Sequence, residues 1–131
     1  MNAQSGQQLN EACFYRDFVL VRSLVSSGEA SVNFQDEEDG EAPVMVCCRG
    51  DGPDILTYLI QRGANLDLAT SLGFTALHFA AVYKKHLSMA VLLQNGANAE
   101  LANEYGSTAL IFSAMYNRRE CTTLLLQHGV A

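Results

Sequence analysis

No run of apolar residues in this 131-residue chain is longer than five, against the roughly 18 that a bilayer span needs, so the sequence holds no transmembrane helix. Positive charge is also scarce. Eight Lys and Arg face fourteen Asp and Glu, a net charge of −6, and such a field repels phosphate backbones and anionic lipid surfaces. Neither nucleic acid nor a membrane is expected as a partner. Charged residues are only 17% in all, while 49% are hydrophobic, which excludes disorder as a global description. Residues 1–12 lack a basic n-region and an apolar h-region, so no secretory leader is read and a cytoplasmic or nuclear setting is expected. The catalytic vocabulary is thin as well. There is no H-E-x-x-H and no phosphate-cradling glycine loop, and His78, His86 and His128 have no Cys, Ser or carboxylate placed for nucleophilic or general-base work. No catalytic residue and no enzyme activity are expected.

What is present is periodic. Gly40, Gly73 and Gly106 lie 33 apart, and Gly63, Gly96 and Gly129 repeat at the same interval. Each glycine of the second series follows an apolar run, 58–60, 91–93 and 124–126, as expected of a helix C′ residue with φ > 0. Two short helical patterns fit between the glycines of a unit. In the third unit the first covers Thr75 to Ala81, with Thr75 placed to cap it, and the second runs from about Leu87 to Asn95. Core-type residues of the second helix recur at i, i+3 and i+4: Ile55, Tyr58, Leu59; Ser88, Val91, Leu92; Cys121, Leu124, Leu125. Gly28 opens a weaker, earlier copy. It precedes Gly63 by 35 residues, which predicts a two-residue insertion in the acidic loop 29–37. Four units, about 1–36, 37–69, 70–102 and 103–131, tile a single domain.

These residues resemble the ankyrin-repeat family. Its signature T-P-L-H-x-A is met by Thr75 Ala76 Leu77 His78 Phe79 Ala80 in all but the proline. Thr108 and Leu110 keep part of it, Pro43 keeps the proline, and Gly-Ala-Asn recurs at 63–65 and 96–98. The Gly-His that usually opens the turn between helices is replaced by Asp51 Gly52, Lys84 Lys85 and Asn117 Arg118. Lys84 carries a steric cost in a left-handed turn that Asn117 largely escapes. The resemblance implies an all-α solenoid of stacked helix-turn-helix units joined by hairpin-like loops, without cofactor. It also implies a non-catalytic protein-interaction module that binds on a concave face, and a structural hydrogen bond from His78 near the hairpin.

Carrying the family's contact positions across places two rows on that face. The loop fingers supply Glu38, Asp39 and Glu41 in unit two, Leu72 and Phe74 in unit three, and Tyr105 in unit four. The ends of the first helices supply Tyr15, Arg49, Tyr83 and Tyr116, of which Tyr15, Gly50, Tyr83 and Tyr116 share one repeat position. Tyrosines there read either as a contact ladder with a gap at Gly50 or as packing on the neighbouring unit. Phe74 is either an exposed anchor or folds back onto the next finger. The acidic run 36–39 with Glu41 reads either as a solvated loop or as charge selection. Used functionally, it favours a partner protein or peptide with a basic and an apolar segment.

The four cysteines fall at small or core positions with no C-x-x-C. Cys47 and Cys48 point about 100° apart on a helix. Cys13 and Cys48, at equivalent sites in neighbouring units, are expected about 8–10 Å apart, beyond disulfide reach. Buried thiols, with no metal site, are the expectation. Two other readings stay open. Gly50, Gly52 and Pro53 behind the first helix of unit two resemble the shortened helix of family members that act as stoichiometric enzyme inhibitors. The apolar run 124–126, followed by no polar capping unit, instead suggests a structural or regulatory segment of a larger protein, or self-association through the C-terminal repeat.

Overall fold

The structure, a computed structural model, describes residues 3–50 and 52–130. Among them are eight helices and no strand. They come in pairs: α1 (Ala3–Phe14) with α2 (Phe18–Ser26), α3 (Pro43–Arg49) with α4 (Pro53–Gln61), α5 (Ala76–Val82) with α6 (His86–Gln94), and α7 (Ala109–Met115) with α8 (Arg119–Gln127). The first helices pack in the series α1, α3, α5, α7, and α4, α6, α8 pack in a second row. A helix of seven residues is unstable alone; α3 and α5 are each held between two neighbouring first helices, and α7 against α5 and α8. Every described residue of α3 up to Cys48 is buried.

The apolar periodicity translates directly into packing. Ile55, Ser88 and Cys121 are buried, Tyr58, Val91 and Leu124 are half-buried, and Leu59, Leu92 and Leu125 are buried again. The second helices α4, α6 and α8 each end at a glycine with positive φ, Gly63 (91°), Gly96 (87°) and Gly129 (82°). There the next residue's N–H returns to a carbonyl inside the helix, as in Ala64 N to Leu59 O at 3.1 Å. Backbone bonds join neighbouring fingertips, Ser71 N donating to Asp39 O at 2.8 Å and Glu104 N to Leu72 O at 2.9 Å.

Two expectations are corrected. The helix of unit two is not shortened, since α3 has seven residues like α5 and α7. Its proline stands at the first turn, where no N–H is missed, Gly50 falls where the helix ends in every unit, and Pro53 opens α4. The two extra residues are not both in the loop 29–37. After Gly28 it is Ala30, not Glu29, whose N–H returns to Leu24 O (3.1 Å), and the finger closes by Gly40 N to Asp36 O (2.8 Å) where the others close one residue tighter, Gly73 N to Thr70 O and Gly106 N to Asn103 O. One residue is therefore inserted at Glu29 and the other in the fingertip 36–40. The turn at Lys84 keeps the left-handed geometry despite its side chain, with φ 61° beside 59° at Arg16 and 57° at Asn117; the corresponding Asp51 lies outside the described residues.

Candidate functional site

One hydrogen-bonding position links the units on the face made by fingers and first helices. His78 accepts Thr75 N–H at Nδ1 (2.9 Å), with the Thr75 hydroxyl also 2.9 Å away, so Nε2 carries the proton and donates to Ser107 O at 2.8 Å. Burial lowers the pKa of this imidazole, with the bond to Ser107 opposing, and it stays neutral. Asn10 stands at the same repeat position in unit one and donates from Nδ2 to Glu41 O at 3.2 Å. Met45 takes the place in unit two, where its sulfur accepts Ala42 N–H at 3.4 Å but has no second donor for the next finger.

Two cavities open beside one another on this face. The first, about 520 Å³, lies between units one and two. Its α1 side presents Gln7, Asn10, Glu11, Phe14 and Tyr15, and its other side Asp36, Asp39, Glu41 and Arg49. Arg49 is ion-paired with Glu41 and stands over the Phe14 ring, 5.1 Å from its centroid. Gln7 Nε2 donates to Asp36 at 2.7 Å, and that bond, with the backbone N–H of Glu38, holds the Asp36 carboxyl below its ordinary value. The second cavity, about 450 Å³, shares Asp39 and Glu41 and adds Glu38, Thr70, Ser71, Leu72, Phe74 and Phe79.

Of the ten residues singled out in the sequence, seven line these cavities: Tyr15, Glu38, Asp39, Glu41, Arg49, Leu72 and Phe74. Tyr83, Tyr105 and Tyr116 line neither, although all three are exposed. Tyr83 and Tyr116 lie flat on residues of their own helices, Phe79 (6.2 Å, 13°) and Phe112 (6.1 Å, 9°), so packing and exposure coexist in the row. Phe74 folds back, onto the first helix of the next unit rather than onto its finger. It is half-buried, stacked on Phe112 at 5.6 Å and edge-on to His78 at 5.7 Å, and only part of it faces the second cavity. Gln7, Asn10 and Glu11 went unread because α1 carries no signature motif. The register alone would have found Asn10, which precedes Met45 by the same 35 residues that separate Gly28 from Gly63.

All four cysteines are free and buried. A hydrogen bond with Cys13, then burial, push the Cys47 thiol well up; burial also pushes Cys48 well up and raises Cys121. Among the described residues no helix is long and apolar enough to cross a membrane.

A family model described as ankyrin repeats, in three copies, matches residues 9–101. Glycerophosphocholine phosphodiesterase GDE1 of Eremothecium gossypii is 33% identical over 63 residues, 47% of this chain. The chain spans only 5% of that protein's length.

Proposed function

From the premise that the chain belongs to the ankyrin-repeat family, whose repeats generally mediate protein–protein interaction, we propose that it is a non-catalytic module binding a partner protein or peptide on the concave face. The observation that supports this is the pair of adjoining cavities lined by fingers and first helices of three successive units. Stacked units offer their extended concave surface at such positions. The low share of the phosphodiesterase that the chain spans gives no reason to carry that activity across.

The test is selection from a displayed library of random twelve-residue peptides against the wild type, with counter-screens on two double variants. These are Tyr15→Ala with Leu72→Ala in the cavities, and Tyr83→Ala with Tyr116→Ala in the tyrosine row, each first shown to melt near the wild-type temperature. Enriched peptides should lose binding to the first variant; those that also lose binding to the second would extend the site along the row. Peptides that bind both variants as well as the wild type would move the site off this face.

A second reading has its own observation. Ile111 is 43% exposed, while His78 and Met45, at the same repeat position, are 1% and 0% exposed. Leu126 is 55% exposed where its counterpart Leu93 is 8%. The face of unit four thus presents positions that the inner units cover wholly or in part, which supports stacking there on a second copy or a further unit. Sedimentation velocity over a hundredfold range of concentration tests self-association, and Ile111→Lys should abolish it.

A further inference from the structure

The two cavities have opposite chemistry and a common wall. In the first, Glu11, Asp36, Asp39 and Glu41 bring four carboxylates against the single guanidinium of Arg49. Arg49 is committed to Glu41, so three negative charges remain. Glu11 lies on the α1 side and the others on the finger side. Asp36 is bonded by Gln7 and by the N–H groups of Glu38 and Asp39, and Asp39 takes Glu41 N–H at one oxygen. Glu11 and the second oxygen of Asp39 are therefore the acceptors facing each other across the cavity without a protein donor. No three of these groups are placed to hold a metal ion among the described residues. A second observation is independent of the charge. Asn10 is only 8% exposed, its Nδ2 is used by Glu41 O, and its Oδ1 has no partner. A buried acceptor left open in the lining of a cavity is a place for a ligand's donor. Arg49 Nε, in the same lining, is a buried donor left open.

We propose that the first cavity receives the guanidinium of an arginine in an extended peptide segment, and that the second receives an apolar side chain two or three residues away. This rests on the reading of the face as a protein-binding surface. Arginine fits better than lysine for three reasons. Its five donors diverge in a plane and can reach acceptors on two walls. Its weaker hydration makes desolvation easier beside a buried Asn10. Its flat face suits the exposed ring of Tyr15, which stands edge-on to Phe14, while Phe14 already carries the Arg49 guanidinium over its ring. The open Arg49 Nε then takes a carbonyl of the same segment. Leu72, Phe74 and Phe79 form the apolar part of the second cavity. Packed helices lie about 8–10 Å apart and an extended chain advances about 3.3 Å per residue, which sets the spacing.

The test titrates the isotopically labelled protein with Nα-acetyl-arginine amide to 50 mM, followed by amide NMR. Nα-acetyl-lysine amide and the neutral isostere Nα-acetyl-citrulline amide serve as comparisons. The arginine compound should shift the Asn10 side-chain amide and the Glu11 and Asp39 backbone signals, the lysine compound less, and citrulline not at all. Glu11→Gln, an exposed position, should weaken arginine binding about threefold. Acetyl-Arg-Gly-Leu amide or acetyl-Arg-Gly-Gly-Leu amide should bind about tenfold tighter than the versions with serine for leucine, and Leu72→Ala should remove that gain. Absence of shifts at 50 mM, equal shifts with citrulline, or shifts confined to other surfaces would each overturn the proposal. Library peptides that depend on Tyr15 and Leu72 without an arginine would overturn it while leaving the face as the binding surface. Arginine shifts with no selected peptide dependent on the face would instead overturn the broader reading.

Discussion

Lys84 sits at φ 61° in the turn between α5 and α6, a conformation that costs a residue with a Cβ about 1–2 kcal/mol. Its side chain is exposed, so replacing it sacrifices little packing. Lys84→Gly should therefore raise the free energy of unfolding by about 0.5–1 kcal/mol after the extra freedom glycine gives the unfolded chain, read from the urea midpoint. Asn117→Gly, at the equivalent turn, should gain less, because asparagine tolerates this region. His78 makes a second prediction at this scale. Its folded pKa lies below the unfolded value of 6.5, so on acidification the unfolded chain takes up the proton first. Stability should fall as pH drops through about 6.5 and stop falling from this source below the folded pKa. His78→Asn, which borrows the solution Asn10 uses, should cost about 1 kcal/mol at pH 8 and remove that part of the slope, seen in unfolding free energies measured from pH 8 to 5.5. The histidine was legible in the sequence because it carries a signature. Its counterpart Asn10 carries no signature, so only the 35-residue register could mark its position, and its bond to Glu41 O shows what it does there.

At the scale of elements, glycines of one series are not equivalent. Gly73 and Gly106 both have positive φ, 86° and 78°. A Cβ on Gly73 would lie 2.9 Å from Asn103 Cα and 3.0 Å from Glu104 N, whereas one on Gly106 would meet nothing within 4 Å. Gly106→Ala should cost about 1–2 kcal/mol from conformation alone. Gly73→Ala should cost at least about 1 kcal/mol more, since the clash displaces the donor of the Glu104 N to Leu72 O bond; thermal or urea unfolding of the two variants decides. The 33-residue spacing put both glycines at one repeat position and the family resemblance put that position on a finger, but neither showed that the tip of one finger lies against the next. Element positions were legible to within about a residue: α6 begins at His86 rather than Leu87 and α5 ends at Val82 rather than Ala81. The insertion was legible only as a total of two residues. Spacing counts extra residues, while the backbone bonds of Ala30 and Gly40 show where each is absorbed. The shortened helix was misread for a related reason: glycine and proline break a helix only inside it, and here they stand at its borders.

In the whole molecule, burial of the first helices falls from unit two to unit four. α3 buries all its described residues but Arg49, α5 buries five of seven, and α7 buries only Ala109, Phe112 and Ser113. α8 buries just Cys121 and Leu125. Units in a solenoid are stabilised mainly by nearest neighbours, so opening should begin in unit four, at a free energy below that of global unfolding. Native-state hydrogen exchange at low protein concentration should find the slowest amides in α3 and α5 and the fastest helical ones in α8. The same measurement separates the two uses of the terminal face. If Ile111 and Leu126 are covered by a second copy, exchange in α7 and α8 will slow as concentration rises while α3 is unchanged, and Ile111→Lys will cancel the slowing. If protection in unit four is independent of concentration, the face is not used between copies. A profile with α8 as slow as α3 would contradict the gradient itself, and would mean that the half-covered apolar residues of the last unit contribute more to stability than their exposure indicates.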